Sequence, residues 1–164
     1  MTVILGIPIP SANPIFLSLV AVHIAFGLAA VIAGLGAMFS GKGRGAHSNF
    51  GTTYFWCLFG VFVTMGVLSF FRWAEVYPLF ILGTLAFVAT YVGRSAIRSR
   101  HPRLHLICMA ASYILMLTAF YVDNGKNLPL WDTLPQIAFW ILPSMIGLPL
   151  LAYYLFRLPK FKLK

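Results

Sequence analysis

Residues 15–39 read IFLSLVAVHIAFGLAAVIAGLGAMF, a run that contains no Asp, Glu, Lys or Arg. A helix crosses the ~30 Å hydrocarbon layer of a bilayer with about 20 residues, so this run is long enough to span a membrane. In lipid, a helix satisfies every backbone donor and acceptor within one segment. Four similar runs follow, and we predict an all-α integral membrane protein, a single bundle over residues 1–164 with five transmembrane helices at roughly 15–39, 50–71, 76–97, 104–122 and 137–156.

The composition excludes a water-soluble domain. Of the 164 residues, 60% are hydrophobic and only 9% are charged, whereas an ordinary globular domain carries about 25% charged residues. Most of the surface must therefore face lipid, and the lipid bilayer is the expected environment. Five helices and their connections use almost the whole length, so we expect one bundle rather than several domains.

The charges indicate how the bundle is oriented. The formal net charge is +9, but 10 of the 12 Lys and Arg residues fall in segments 40–49, 94–103 and 157–164, which five crossings place on one side. All three acidic residues fall on the other side. Because Lys and Arg are retained on the cytoplasmic side, we predict an outer N-terminus, a cytoplasmic C-terminus and a multi-pass protein of the bacterial inner membrane. The basic balance therefore does not indicate nucleic-acid binding.

Two features of the C-terminal third depart from a plain apolar helix. Pro143 and Pro149 interrupt the fifth run, and each removes a helix hydrogen bond, so we predict a bent or broken helix there. The segment 123–132 combines turn residues with Trp131, which predicts an ordered outer loop with an interfacial aromatic residue.

The common catalytic and redox motifs are absent from the sequence. It has no GxSxG, HExxH, Walker or dinucleotide-binding pattern, so hydrolase, kinase and dehydrogenase chemistry is not indicated. Cys57 and Cys108 lie in apolar runs without a CxxC spacing, which argues against a disulfide framework, a zinc ribbon or c-type haem. Because the first cation, Lys42, follows the first apolar run, no cleavable signal peptide is expected.

His23 is the main ionisable residue inside a predicted span, where such residues are functional candidates by default. Its helical face continues through Gly27, Ala30 and Gly34, and these small residues leave room beside the ring. One interpretation is an axial ligand of a b-type haem. The other, which we favour, is close helix packing, with His23 hydrogen-bonded to a neighbouring helix.

A second set of polar and sulfur-bearing residues follows one face of the fourth span. It starts at His105, is bordered by Cys108, and continues through Met109, Ser112, Tyr113 and Met116. Such a face is suited to a soft metal such as copper, or to a redox or quinone pocket. The favoured interpretation is again a helix interface, in which methionine fills gaps and hydroxyls bond across.

His47 and His105 both lie at the predicted inner boundary of the membrane, so we expect the two side chains to meet. As an isolated pair they fall short of the three or four ligands usual for zinc. The competing interpretation is that they bind lipid phosphate together with Arg44 and Arg103.

The segments that carry these histidines resemble a known family. They are His23–Phe39, Gly41–His47, Gly51 with Tyr54–Trp56, His105 with Met109 and Tyr113, Thr118–Gly125, and Leu128–Trp131. Over roughly residues 20–150 the chain resembles the predicted membrane proteins filed as domain of unknown function 2306. The resemblance implies a small bacterial multi-helix membrane protein with recurring histidines, and no established function. Many of these proteins have a histidine where this chain has Pro78, and its absence argues against a bis-histidine haem at His23.

Two functional hypotheses follow. The first is a membrane redox or cofactor-binding protein of the cytochrome-b or quinone type, in which the bound group is a b-type haem, a quinone or a metal ion. Its cofactor-binding candidates are His23, His47, His105 and Tyr113, and its candidate metal ligands are His47, His105, Cys108 and Met109. The second is a non-enzymatic accessory subunit of a membrane complex, or a small-solute carrier. Other membrane subunits or further copies of the chain are then the expected partners.

Overall fold

The structure, a computed structural model, describes residues 2–4, 7–9, 14–41, 45–129 and 131–157. Its long elements are α1 (Pro14–Phe39), α2 (Ala46–Phe71), α3 (Trp73–Arg98), α4 (Pro102–Asn124) and α5 (Gln136–Arg157). A short 3₁₀ helix, Gly125–Asn127, follows α4. Near the N-terminus, strands β1 (Thr2–Ile4) and β2 (Ile7–Ile9) pair antiparallel.

All five α-helices are long and apolar enough to cross a membrane, which confirms the predicted multi-pass bundle. Each predicted span lies inside its helix, and the boundaries agree within four residues. The largest difference is at the start of α2, where residues 46–49 are polar or small and yet helical. A first turn of this composition extends the helix beyond the hydrocarbon layer, so hydropathy alone places the start too late.

The helices form two hairpins and one added helix. α1 packs mainly on α2 and α3 on α4, while α2 also contacts α3 and α5 packs on α4. The end of α1, the start of α2, the connection 99–101 and the end of α5 lie at one end of the bundle, here called the basic end. Many large exposed side chains along the helices are apolar, as lipid-facing surfaces require.

The centre of the bundle combines small and large buried residues. Gly34 of α1 leaves room for the ring of Tyr113 from α4, since a Cβ added there would overlap that ring. Small residues in membrane helices permit such close contacts. The central cluster consists of Ala30, Ala33, Tyr54, Leu58, Ala86, Tyr113 and Met116.

α5 runs without interruption through Pro143 and Pro149. Of the expected bend or break, the break is therefore wrong, and the bend stays a prediction. A membrane helix tolerates proline because neighbouring helices and local adjustments satisfy the freed carbonyl groups. Phe139 is fully buried near the start of α5, and its ring lies against Gly125.

The connection between α4 and α5 is ordered in its described part, as predicted. Lys126 Nζ donates hydrogen bonds to the carbonyl oxygens of Asp132 (3.2 Å) and Leu134 (2.6 Å). The rings of Tyr121 and Trp131 lie 5.0 Å apart. These contacts hold the loop against the end of α4.

Candidate functional site

Two histidines meet at the basic end of the bundle. His47 lies in the first turn of α2, and its Nδ1 is 2.8 Å from the carbonyl oxygen of Ala37 on α1. His105 lies in the first turns of α4, and its Nδ1 is 2.9 Å from the carbonyl oxygen of Gly93 on α3. The two ring centroids are 6.3 Å apart and the ring planes are nearly perpendicular, at 79°. The expected meeting of this pair is confirmed.

These hydrogen bonds determine the tautomer of both rings. A carbonyl oxygen only accepts, so Nδ1 of His47 and Nδ1 of His105 each carry the proton. In the neutral ring the lone pair is then on Nε2. A backbone carbonyl on Nδ1–H is also the usual support of a metal-binding histidine, because it fixes the orientation of the ring and raises its basicity.

A cavity of about 250 Å³ adjoins both rings. Among the residues that the structure describes, its lining includes two cations, Arg94 and Arg98, and no Asp or Glu. A Cβ added at Gly51 would have no atom within 4 Å, so the cavity wall is open there. The lining consists of His47, Ser48, Gly51, Thr52, Phe55, Thr90, Arg94, Ile97, Arg98, His105 and Met109.

A second cavity, of about 200 Å³, lies on the other side of Phe55 and Arg94. The Arg94 guanidinium carbon is 4.7 Å from the centroid of the Phe55 ring, a cation–π distance. These two residues and Arg98 line both cavities, so the cavities are adjacent. The second cavity is lined by Phe55, Trp56, Tyr91, Arg94, Ser95 and Arg98.

A chain of buried hydroxyl groups leads from the first cavity into the core. Thr90 donates to the carbonyl oxygen of Ala86 at 3.0 Å, so its oxygen accepts from Ser112. Ser112 in turn accepts from the Tyr54 hydroxyl at 2.8 Å. Each of the three hydroxyl protons therefore has one acceptor, and the chain of hydroxyl groups joins α2, α4 and α3.

His23 lies apart from this site, and its surroundings are those of a packing residue. Its Nδ1 is 2.8 Å from Thr64 Oγ1 on α2. Because Thr64 donates its own proton to the carbonyl oxygen of Gly60 at 2.7 Å, its oxygen accepts from His23. The predicted hydrogen bond to a neighbouring helix is present, and the structure does not bring His23 together with His47 or His105.

The other predicted site residues divide between the cavity and the helix interfaces. Met109 lines the first cavity. Cys108 packs against Gly93, and the Tyr113 hydroxyl donates to the carbonyl oxygen of Val31 at 3.2 Å. Within the described ranges, no three His, Cys, Asp or Glu side chains are grouped as metal ligands would be.

Sequence reasoning did not assign Arg94, Arg98 or Thr90 to the site. It treated the two arginines as orientation charges. Their spacing was the available signal: residues four apart share one face of a helix, and Thr90, Arg94 and Arg98 follow one another at that interval.

The comparison with protein families supports the resemblance seen in the sequence. Residues 20–146 match the family model described as "Predicted membrane protein (DUF2306)". The chain belongs to this family. The matched range includes His23, His47 and His105, and every residue that lines the two cavities. No curated protein and no solved structure matches the chain.

Proposed function

We propose that this member of the family binds one b-type haem at the basic end of the bundle and serves as a redox protein of the bacterial inner membrane. His47 and His105 would hold its iron. The separation of their ring centroids, 6.3 Å, is the observation that carries the proposal.

That separation suits a single metal ion between the two rings. A metal–imidazole bond is about 2.0–2.1 Å long, and a ring nitrogen lies about 1.1 Å from the ring centroid. Two imidazoles that share one ion therefore have centroids a little over ~6 Å apart. Two rings in edge-to-face contact have a similar separation, and the carbonyl groups on both Nδ1 atoms add the support usual for metal-binding histidines.

The charges of the cavity favour haem over a bare metal ion. A divalent ion would lie between two neutral imidazoles and near Arg94 and Arg98, with no carboxylate among the described lining residues. Like charges in such a setting repel strongly. A haem brings a dianionic macrocycle and two propionate groups, and the two guanidinium groups supply the matching positive charge.

The cavity is partly open rather than a closed chamber. Its volume of about 250 Å³ lies just below the ~300 Å³ at the lower end of small-molecule sites, so part of a bound haem would lie outside it. The open wall at Gly51 leaves room beside His47.

The proposal assigns no haem to His23. Its ring is bonded to Thr64, and position 78 on α3 holds a proline. Among the described residues, the half of the bundle that contains His23 has no second histidine. We therefore expect one haem per chain.

The test is the absorption spectrum of the purified protein in detergent, before and after reduction with dithionite. We expect the Soret and α bands of a low-spin b-type haem and a pyridine haemochrome content of about one per chain. His47→Ala and His105→Ala should each lose most of the haem. His101→Ala is the matched control, since His101 is exposed at the same end, and His23→Ala is a second control; both should keep it.

Imidazole addition makes the ligand assignment specific. A His47→Gly variant leaves a space of about the size of the lost ring, and millimolar imidazole should restore the low-spin spectrum. A colourless protein that is folded and stable would contradict the proposal. It would favour the accessory subunit or solute carrier, in which the histidines only pack.

A further inference from the structure

The second cavity, between α2 and α3, has the features of a site for a lipid-soluble molecule with a flat polar ring. We propose that it binds the ring of a membrane quinone. The cavity has a volume of about 200 Å³, which suits one substituted six-membered ring. The binding step needs no haem.

The polar groups of this cavity are mainly hydrogen-bond donors. The guanidinium groups of Arg94 and Arg98 only donate, as does the indole N–H of Trp56. Ser95 adds a hydroxyl, and no carboxylate appears among the described lining residues. Such a cavity selects a ligand with acceptor oxygens, and the two carbonyl oxygens of a quinone are acceptors of this kind.

The walls are aromatic. Phe55 and Trp56 come from α2 and Tyr91 from α3, and the side chains of Trp56 and Tyr91 are 59% and 60% exposed. Aromatic rings prefer offset-stacked or edge-to-face contacts with another ring. A phosphate headgroup would use the two arginines and gain little from three aromatic walls, so the lining favours a ring over a phospholipid headgroup.

The position of the cavity fits a ligand that enters from the membrane. Trp56 and Tyr91 lie on lipid-exposed faces of helices that span the bilayer. The ring of a quinone can lie between them while its hydrophobic tail stays in the lipid. Neither the ring nor the tail then needs to cross the core.

The adjacency of the two cavities gives this site a role in electron transfer, and this role rests on the proposed haem. Phe55, Arg94 and Arg98 line both cavities and lie between a ring in the second cavity and the first cavity. A hydroquinone loses two electrons and two protons on becoming a quinone, and a ferric haem held by His47 and His105 would supply a one-electron acceptor. Oxidation of one hydroquinone would therefore require two copies of the haem-loaded protein, and both protons would pass to solvent.

Binding of a decyl-benzoquinone to the detergent-solubilised protein tests the site. Equilibrium dialysis gives the affinity, and quenching of tryptophan fluorescence reports proximity. We expect Trp56→Leu and Ser95→Ala each to weaken binding about fivefold, by loss of a stacking contact and a hydrogen bond respectively. Trp140→Leu is the matched control, since Trp140 is partly exposed on α5, and it should leave the affinity unchanged.

The His47→Ala variant separates this inference from the proposed haem. If the protein without haem still binds the quinone with normal affinity, the quinone site is supported whether or not the proposed haem is correct. If haem is present but the quinone does not bind, or binds equally well to the Trp56→Leu and Ser95→Ala variants, the inference is wrong. Displacement of the quinone by phosphatidylglycerol, with no effect of Trp56→Leu, would also overturn it and assign the cavity to lipid phosphate.

Discussion

Gly34 and Gly27 lie on the same face of α1 but have opposite surroundings. A Cβ added at Gly34 would overlap the ring of Tyr113 and approach Tyr54 Cδ2 to 3.4 Å, whereas one added at Gly27 would have no atom within 4 Å. The sequence presents both as members of one small-residue stripe. Small residues in the sequence show that one face of the helix has room for a neighbour. Only the structure shows that the Tyr113 ring fills that room at Gly34.

Gly34→Ala should therefore destabilise the bundle. The Tyr113 ring has to move and its hydrogen bond to the carbonyl oxygen of Val31 is weakened, an overpacking effect of about 1–3 kcal/mol. Thermal unfolding in detergent measures it. Gly27→Ala is the control and should be neutral or stabilising, by up to about 1 kcal/mol of helix propensity. Equal effects of the two substitutions would contradict the packing described here.

The buried hydroxyl chain makes a second prediction about single residues. Ser112→Ala leaves the Tyr54 hydroxyl buried without its acceptor, which costs about 1–3 kcal/mol. Tyr54→Phe should cost less, because Ser112 still donates to Thr90. The double variant removes donor and acceptor together, so its loss of stability should be smaller than the sum of the two.

Chemical denaturation of the four proteins gives the coupling energy. Thr118→Val is a control for loss of a buried hydroxyl on the same helix, because among the described residues Thr118 bonds only to the carbonyl oxygen of Ile114 within α4. It should change stability little. Additive effects of Ser112→Ala and Tyr54→Phe would show that the chain between helices is not formed.

At the scale of elements, the sequence predicted the helices and the meeting of His47 and His105. It did not predict the backbone groups that hold the two rings. Hydropathy locates spans because lipid demands continuous apolar helices, and five crossings place both histidines at one boundary. The carbonyl groups of Ala37 and Gly93 that hold the rings belong to the preceding helices. Every residue has a backbone carbonyl group, so no residue type in the sequence marks these two acceptors. This part of the site could therefore not be predicted.

One contact between α5 and the end of α4 joins Phe139 to Gly125. Phe139 lies against Gly125 so closely that an added Cβ would be 2.6 Å from the ring. The backbone of Gly125 is helical, with φ −54°, so alanine is acceptable to the backbone and Gly125→Ala tests the ring contact alone. We expect α5 to pack less firmly and the connection 128–135 to be cleaved faster by protease. Gly83→Ala, with nothing within 4 Å, is the control and should leave cleavage unchanged.

At the scale of the whole molecule, the two hairpins place equivalent residues in equivalent positions. His47 and His105 each begin a second helix, and the residues seven positions later, Tyr54 and Ser112, bond to each other. Ala30 and Ala86, on the first helices, are both fully buried. The haem that we propose would lie where the hairpins face each other. Most other pairs at these offsets differ in residue type, which is why no repeat stands out in the sequence.

The same arrangement makes the membrane orientation testable, since both hairpin connections and the end of α5 share the basic end. Cations at that end should hold it in the cytoplasm. We expect alkaline phosphatase to be inactive when fused after Gly41 or at the C-terminus and active when fused after Asn127, while a C-terminal green fluorescent protein should fluoresce. The double variant Arg100→Gln/Arg103→Gln should raise the activity of the C-terminal phosphatase fusion, because it removes two exposed positive charges that help to retain this end in the cytoplasm. The reverse pattern of activities would place the haem and quinone sites at the outer face, where an electron partner outside the cell would be required.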